Sequence, residues 1–112
     1  MAAAGDPVFD AIKSAFDEIN DNFEDYAQGM TPSQLSELRD NLRHLTDAFL
    51  SAQAKALGES SATIAQLTAD LASTTAKVQA QKADLANIVA TLGLITEVVK
   101  LAGSLVKLAA VA

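Results

Sequence analysis

Few side chains in this sequence are of types that could do chemistry. The one histidine, His44, follows Asp40 by four residues. On a helix that spacing places carboxylate and imidazole on the same face. A metal centre in a helical bundle asks for more, such as a Glu-x-x-His on each of two helices. Residue 41, three before the histidine, is Asn, and no second His exists. The pair therefore reads as a surface contact beside Arg39 and Arg43. The acidic run Asp17, Glu18, Asp21, Glu24 and Asp25 raises calcium binding. It lacks the central Gly and alternating oxygen ligands of an EF-hand loop, and it follows a helical pattern, so it reads as a solvated helix face. Ser60, Ser61, Thr63, Thr68, Ser73, Thr74 and Thr75 have no base at workable spacing and no glycine-rich elbow to present a nucleophile. No phosphate-cradling glycine motif occurs, and with no cysteine the chain has neither disulfide nor thiolate metal ligand. The residues predict no catalytic centre, no metal, no cofactor and no small-molecule substrate: not an enzyme.

What remains is packing. A chain of 112 residues is one domain on length, spanning residues 1–112, with residues 1–5 expected to be a disordered N-terminus. Half the residues are apolar, but only 4% are aromatic and none is Trp. Strand-forming aromatic and β-branched runs are missing, so the composition predicts an all-α protein. The net charge is −6, unevenly placed: residues 1–50 hold ten acidic and three basic side chains, residues 51–112 four acidic and five basic. No basic stripe exists to displace counterions from nucleic acid. The N-terminus MAAAGDPVF has no basic region followed by an apolar run, so no Sec signal peptide is read. The longest uncharged stretch, Leu85 to Thr96, is 12 residues, shorter than the ~18 a lone membrane span wants. The expected location is cytoplasmic as synthesised, with signal-independent secretion or membrane association left open.

Three helices are signposted. The first, over about 7–28, starts at Asp6-Pro7, a capping acid before Pro at the first helical position. Its seam is Phe9, Ile12, Phe16, Ile19, Phe23, Tyr26, and Gly29 suits its C-terminal cap. The second, over about 32–57, starts at Thr31-Pro32 with seam Leu35, Leu38, Leu42, Leu45, Phe49, Ala52, Ala56 and ends near Gly58. Ser60 or Ser61 caps the third, expected to run unbroken over about 60–110. Its a/d seam passes through Ile64, Leu67, Leu71, Thr74, Val78, Gln81, Leu85, Ile88, Leu92, Ile95, Val99, Ala102, Val106 and Ala109 without a skip. Such a helix would be about 75 Å long. The two shorter helices would pack antiparallel against it, as a bundle or an extended hairpin with coiled-coil-like seams.

The third helix changes character along its length. Up to Gly93, the side opposite the seam is mostly alanine: Ala62, Ala65, Ala69, Ala72, Ala76, Ala83, Ala86, Ala90. That side either receives a second helix or is wet, alanine being simply the best helix former. Thr74 and Gln81 interrupt the seam, and read as a partly solvated stretch. Beyond Gly93 the polar stripe narrows to Glu97, Lys100, Ser104 and Lys107. The apolar arc widens to roughly 200°, against about 100° for an ordinary surface helix. One neighbouring helix cannot cover that arc.

Residues 85–112 are therefore the expected interaction segment, and Leu92, Leu94, Ile95, Val98, Val99, Leu101, Leu105, Val106 and Leu108 the residues expected to carry it. The leading expectation is a homo-oligomer, or docking on a helical partner protein. One alternative is membrane association, with residues 88–112 inserting or lining a pore. A second is an acidic adaptor or chaperone for a secreted client. In size and helix content the chain resembles the small helical-hairpin substrates of type VII secretion. Its turns, Gly29-Met30-Thr31-Pro32 and Gly58-Glu59-Ser60, hold no Trp-x-Gly, so that resemblance assigns no site residue.

Overall fold

The computed structural model describes residues 7–54, 62–83 and 87–109, and these are all-helical, five helices packed on one another. They are α1 (Pro7–Asp21), α2 (Phe23–Ala27), α3 (Pro32–Ala54), α4 (Ala62–Ala80) and α5 (Ile88–Ala109), with a 3-10 turn over Gln81–Ala83. Residues 1–5 and the Gly58–Ser61 turn and cap lie outside the described residues.

Where the heptad seam predicts one helix over 60–110, the chain forms two, and α4 and α5 lie side by side. The cause is visible at both ends of the break. Asn87 caps α5: its Oδ1 accepts from the Ala90 amide at 3.3 Å, and its carbonyl accepts the Thr91 amide at 3.1 Å. The Thr91 hydroxyl, 3.0 Å from the Asn87 carbonyl, also lies 3.3 Å from Gln81 Oε1, which sets the start of α5 against the turn after α4. The driving force is the wide arc of α5. An extended helix would leave much of it in water, whereas folding back sets α5 against α3 and α4, with further contact to α1. Burying a large aliphatic side chain is worth ~1.5–3 kcal/mol, and α5 buries Leu92, Ile95, Val98 and Leu105.

The first predicted helix is also divided. Asn22 Nδ2 donates to the Glu18 carbonyl at 2.8 Å, competing with the backbone at that point, and α1 ends at Asp21. The predicted caps at Gly29 and Thr31 are in place, while the Asp6 cap lies outside the described residues. Gly29 takes φ +77°, the left-handed C-terminal cap. Thr31 Oγ1 accepts from the Gln34 amide at 3.2 Å while Gln34 Oε1 accepts from the Thr31 amide at 3.0 Å, a reciprocal capping box.

The helices form a ring in which α1 neighbours α3, α3 neighbours α5, α5 neighbours α4 and α4 neighbours α1. Phe9 and Phe16 of α1 stack on Phe49 near the end of α3, so these two run in opposite directions. Glu18 near the end of α1 meets Lys82 just past α4, so these two run the same way. The core lies inside the ring: Val8, Ile12, Ala15 and Ile19 from α1, Tyr26 from α2, Leu38, Leu45 and Ala52 from α3, Ile64, Leu71 and Val78 from α4, and the α5 residues above. Each core line is turned slightly from the predicted seam. On α1 and α2, Ile12, Ile19 and Tyr26 are buried as expected, but Phe9, Phe16 and Phe23 are only half-buried. On α3, Leu42 and Phe49 are likewise half-buried. The alanine side of α4 (Ala62, Ala65, Ala69, Ala72 and Ala76) faces solvent, whereas Thr74 is buried in the seam.

Candidate interaction surfaces

The chemistry-bearing side chains do not converge. Asp40 accepts from Arg43 Nη2 at 3.2 Å, while His44 is exposed. Asp17 pairs with Lys13 at 2.6 Å along α1. Among the described residues no group of three His, Asp or Glu side chains is placed to hold a metal ion.

One acid is used for structure. Glu18, whose side chain is 10% exposed, collects three donors through Oε2: Tyr26 Oη at 2.7 Å, Asn22 Nδ2 at 3.0 Å and Lys82 Nζ at 3.2 Å. The Tyr26 hydroxyl has one proton. The carboxylate takes it at 2.7 Å, and the Val78 carbonyl lies 3.2 Å away on the other side. Burial first, then the adjoining Glu18 carboxylate, pushes the Tyr26 phenol well above its ordinary range. This node binds α1, α2 and the end of α4 together. It is a structural latch.

The predicted interaction segment divides by burial. Leu92, Ile95, Val98 and Leu105 are buried in the chain's own core. Leu94, Val99, Leu101 and Val106 are half-buried, and Leu108 is 54% exposed. Val89, outside the predicted set, is 75% exposed. Glu97, Lys100, Ser104 and Lys107 form the wet stripe. Beside it, α3 and α5 enclose a groove of about 350 Å³ whose walls include Gln34, Glu37, Val89 and Lys100. Deeper between these helices Asn41 Nδ2 donates to Thr96 Oγ1 at 3.2 Å.

A larger groove, about 650 Å³, lies between α3 and the α1–α2 junction. Phe23 and Leu42 give it apolar walls; Asp21, Glu24 and Asp25 stand on the α1–α2 side, Arg39 and Arg43 on the α3 side. All five charged residues are exposed. Among the described residues no ion pair crosses this groove. Sequence reasoning assigned Phe23 and Leu42 to the core seam and so missed it. The spacing carries no signal for it: Phe9, Phe16 and Phe23 share one three-four seam with Ile12, Ile19 and Tyr26, and which of the two lines faces inward is set by how the helix is rotated in the ring. No protein-family model, no curated protein and no solved structure matches this chain.

Proposed function

We propose that the chain is a non-enzymatic helical-bundle protein that self-associates or docks on a helical partner through the outer side of α5. One observation carries this. Over Ile88–Leu108 the helix is apolar enough to cross a membrane, yet only 33% of its most apolar window is buried inside the bundle. The chain's own helices cover the inner part of the wide arc and leave Val89 and Leu108 exposed and Leu94 and Leu101 half-covered. Apolar area left at a surface favours association at about 25 cal/mol per Å² before the cost of lost freedom. Light scattering coupled to size exclusion at tens of micromolar tests the self-association arm. Val89→Glu with Leu108→Glu should abolish association through α5 without unfolding the bundle, since both side chains sit outside the core. A monomer at every concentration, with no helical partner recovered by α5-dependent cross-linking, overturns the proposal.

A second reading is membrane association, favoured by the 21-residue length of that same apolar stretch. The core helix of a bundle has the same composition, which ranks this reading second. Vesicle flotation with neutral and with anionic lipid tests it, and failure to co-float with either removes it.

A further inference from the structure

We infer that the groove between α3 and the α1–α2 junction is the contact face of a two-fold dimer of this chain, distinct from α5. The two surfaces both border α3 but share no lining residue: Val89 lies against Gln34 and Glu37, whereas this groove meets α3 at Arg39, Leu42, Arg43 and Thr46.

The argument starts from the charges. Asp21, Glu24 and Asp25 line one wall, and Arg39 and Arg43 the other. Within one chain they do not meet: Arg43 is paired with its neighbour Asp40, and the three acids form no ion pair among the described residues. The Arg43–Asp40 pair has side chains 70% and 58% exposed, and a bridge so open to water is readily exchanged for another carboxylate. A face with one acidic and one basic wall is self-complementary under a two-fold rotation. Two in-plane axes are available. An axis across the groove sets acid against acid. An axis along the groove sets the acids of one copy over the arginines of the other, and forms every pair twice. Electrostatics therefore selects the second, with equivalent ends of the two bundles side by side.

Phe23 and Leu42, half-buried between the walls, lie near that axis and would meet their own counterparts. The half-buried stack of Phe9, Phe16 and Phe49 continues the apolar line along the same two helices. The size fits as well. A long face of a body 41 by 20 Å offers roughly 800 Å², the area a standard interface takes from each partner.

The experiment uses the full chain and two double variants, Arg39→Glu/Arg43→Glu and Glu24→Lys/Asp25→Lys, all at exposed positions. Dimerisation is read by sedimentation equilibrium at low and at physiological salt. Wild type should dimerise, more weakly as salt rises. Each variant alone should lose at least tenfold in dimer affinity, and a one-to-one mixture of the two should recover a heterodimer. Leu42→Cys gives a second readout: the chain has no other cysteine, so oxidation should yield a single disulfide-linked dimer, suppressed by Arg39→Glu/Arg43→Glu. Val89→Glu/Leu108→Glu should leave this dimer intact, which separates it from association through α5. Wild type that is monomeric at all salts, variants that dimerise like wild type, or a mixture that fails to recover would each overturn the inference.

Discussion

The Tyr26 hydroxyl donates to Glu18 Oε2 at 2.7 Å, and with the Val78 carbonyl 3.2 Å from the same oxygen it joins three helices at one buried point. Tyr26 is 1% exposed, so neither bond is replaced by water when the hydroxyl is removed. Tyr26→Phe should lower stability by about 1–3 kcal/mol, the cost of leaving a buried acceptor short of its donor. Urea denaturation followed by circular dichroism measures this. Glu18 keeps Asn22 and Lys82, so the loss should fall short of that caused by Glu18→Leu, which removes one acceptor from three donors at once. Equal losses would remove Glu18 as the centre of the node.

The same phenol gives the fold an alkaline limit. Its folded pKa lies above the unfolded value of about 10, because burial and the Glu18 carboxylate both disfavour the phenolate. Below pH ~10 the phenol is protonated in both states and its contribution is complete. As pH rises past the unfolded value, the unfolded chain releases a proton that the folded chain retains, and stability falls. The chain has one tyrosine and no tryptophan, so phenolate absorbance reports this residue alone. Tyrosinate should appear together with loss of helix, not before it. Titration near pH 10 with the helix signal intact would show the phenol to be open to water.

Burial along α5 sets the order of its truncations. Ile95 is fully buried and should cost about 2–5 kcal/mol as Ile95→Ala. Leu108, more than half exposed, should cost under ~0.5 kcal/mol as Leu108→Ala in the monomer. Thermal melts at low concentration, where association is suppressed, make the comparison. Similar losses at both positions would mean that α5 is packed as deeply outside as inside.

The sequence shows much of this fold and little of its surface. Pro7, Gly29 and the Thr31-Pro32 cap are local signals, and each works through its own backbone, so they are readable one residue at a time. The division into α4 and α5 is not of that kind. Val78, Gln81, Leu85 and Ile88 keep heptad spacing with no Gly or Pro, and the only local mark is Asn87. The helix stops because α5 gains more by lying against α3 and α4 than by continuing α4, a tertiary choice that periodicity does not encode. The width of the apolar arc was the true signal, and it was legible. It called for several neighbours, and the chain supplies three of them itself. The groove was hidden for a related reason. Phe23 and Leu42 satisfy a helical seam on paper, and only the rotation of each helix in the ring decides that they end at a wall and not in the core.

Three glycines separate backbone conformation from space, and their alanine variants should move stability in opposite directions. At Gly93 and Gly103, both within α5, an added methyl meets no atom within 4 Å. Alanine there fits the helix and removes the unfolded-state freedom of glycine, so each of Gly93→Ala and Gly103→Ala should add about 0.5–1 kcal/mol. At Gly29 the methyl also has room, its nearest neighbour being Ile88 Cδ1 at 3.5 Å. There the backbone sits at φ +77°, where an L side chain crowds the following carbonyl, so Gly29→Ala should cost about 1–2 kcal/mol. Chemical denaturation of the three single variants checks the signs. A stabilising Gly29→Ala would mean that the turn between α2 and α3 does not hold its left-handed cap in solution. Destabilisation by Gly93→Ala would mean that the outer side of α5 is occupied, which is what a partner helix lying there would do.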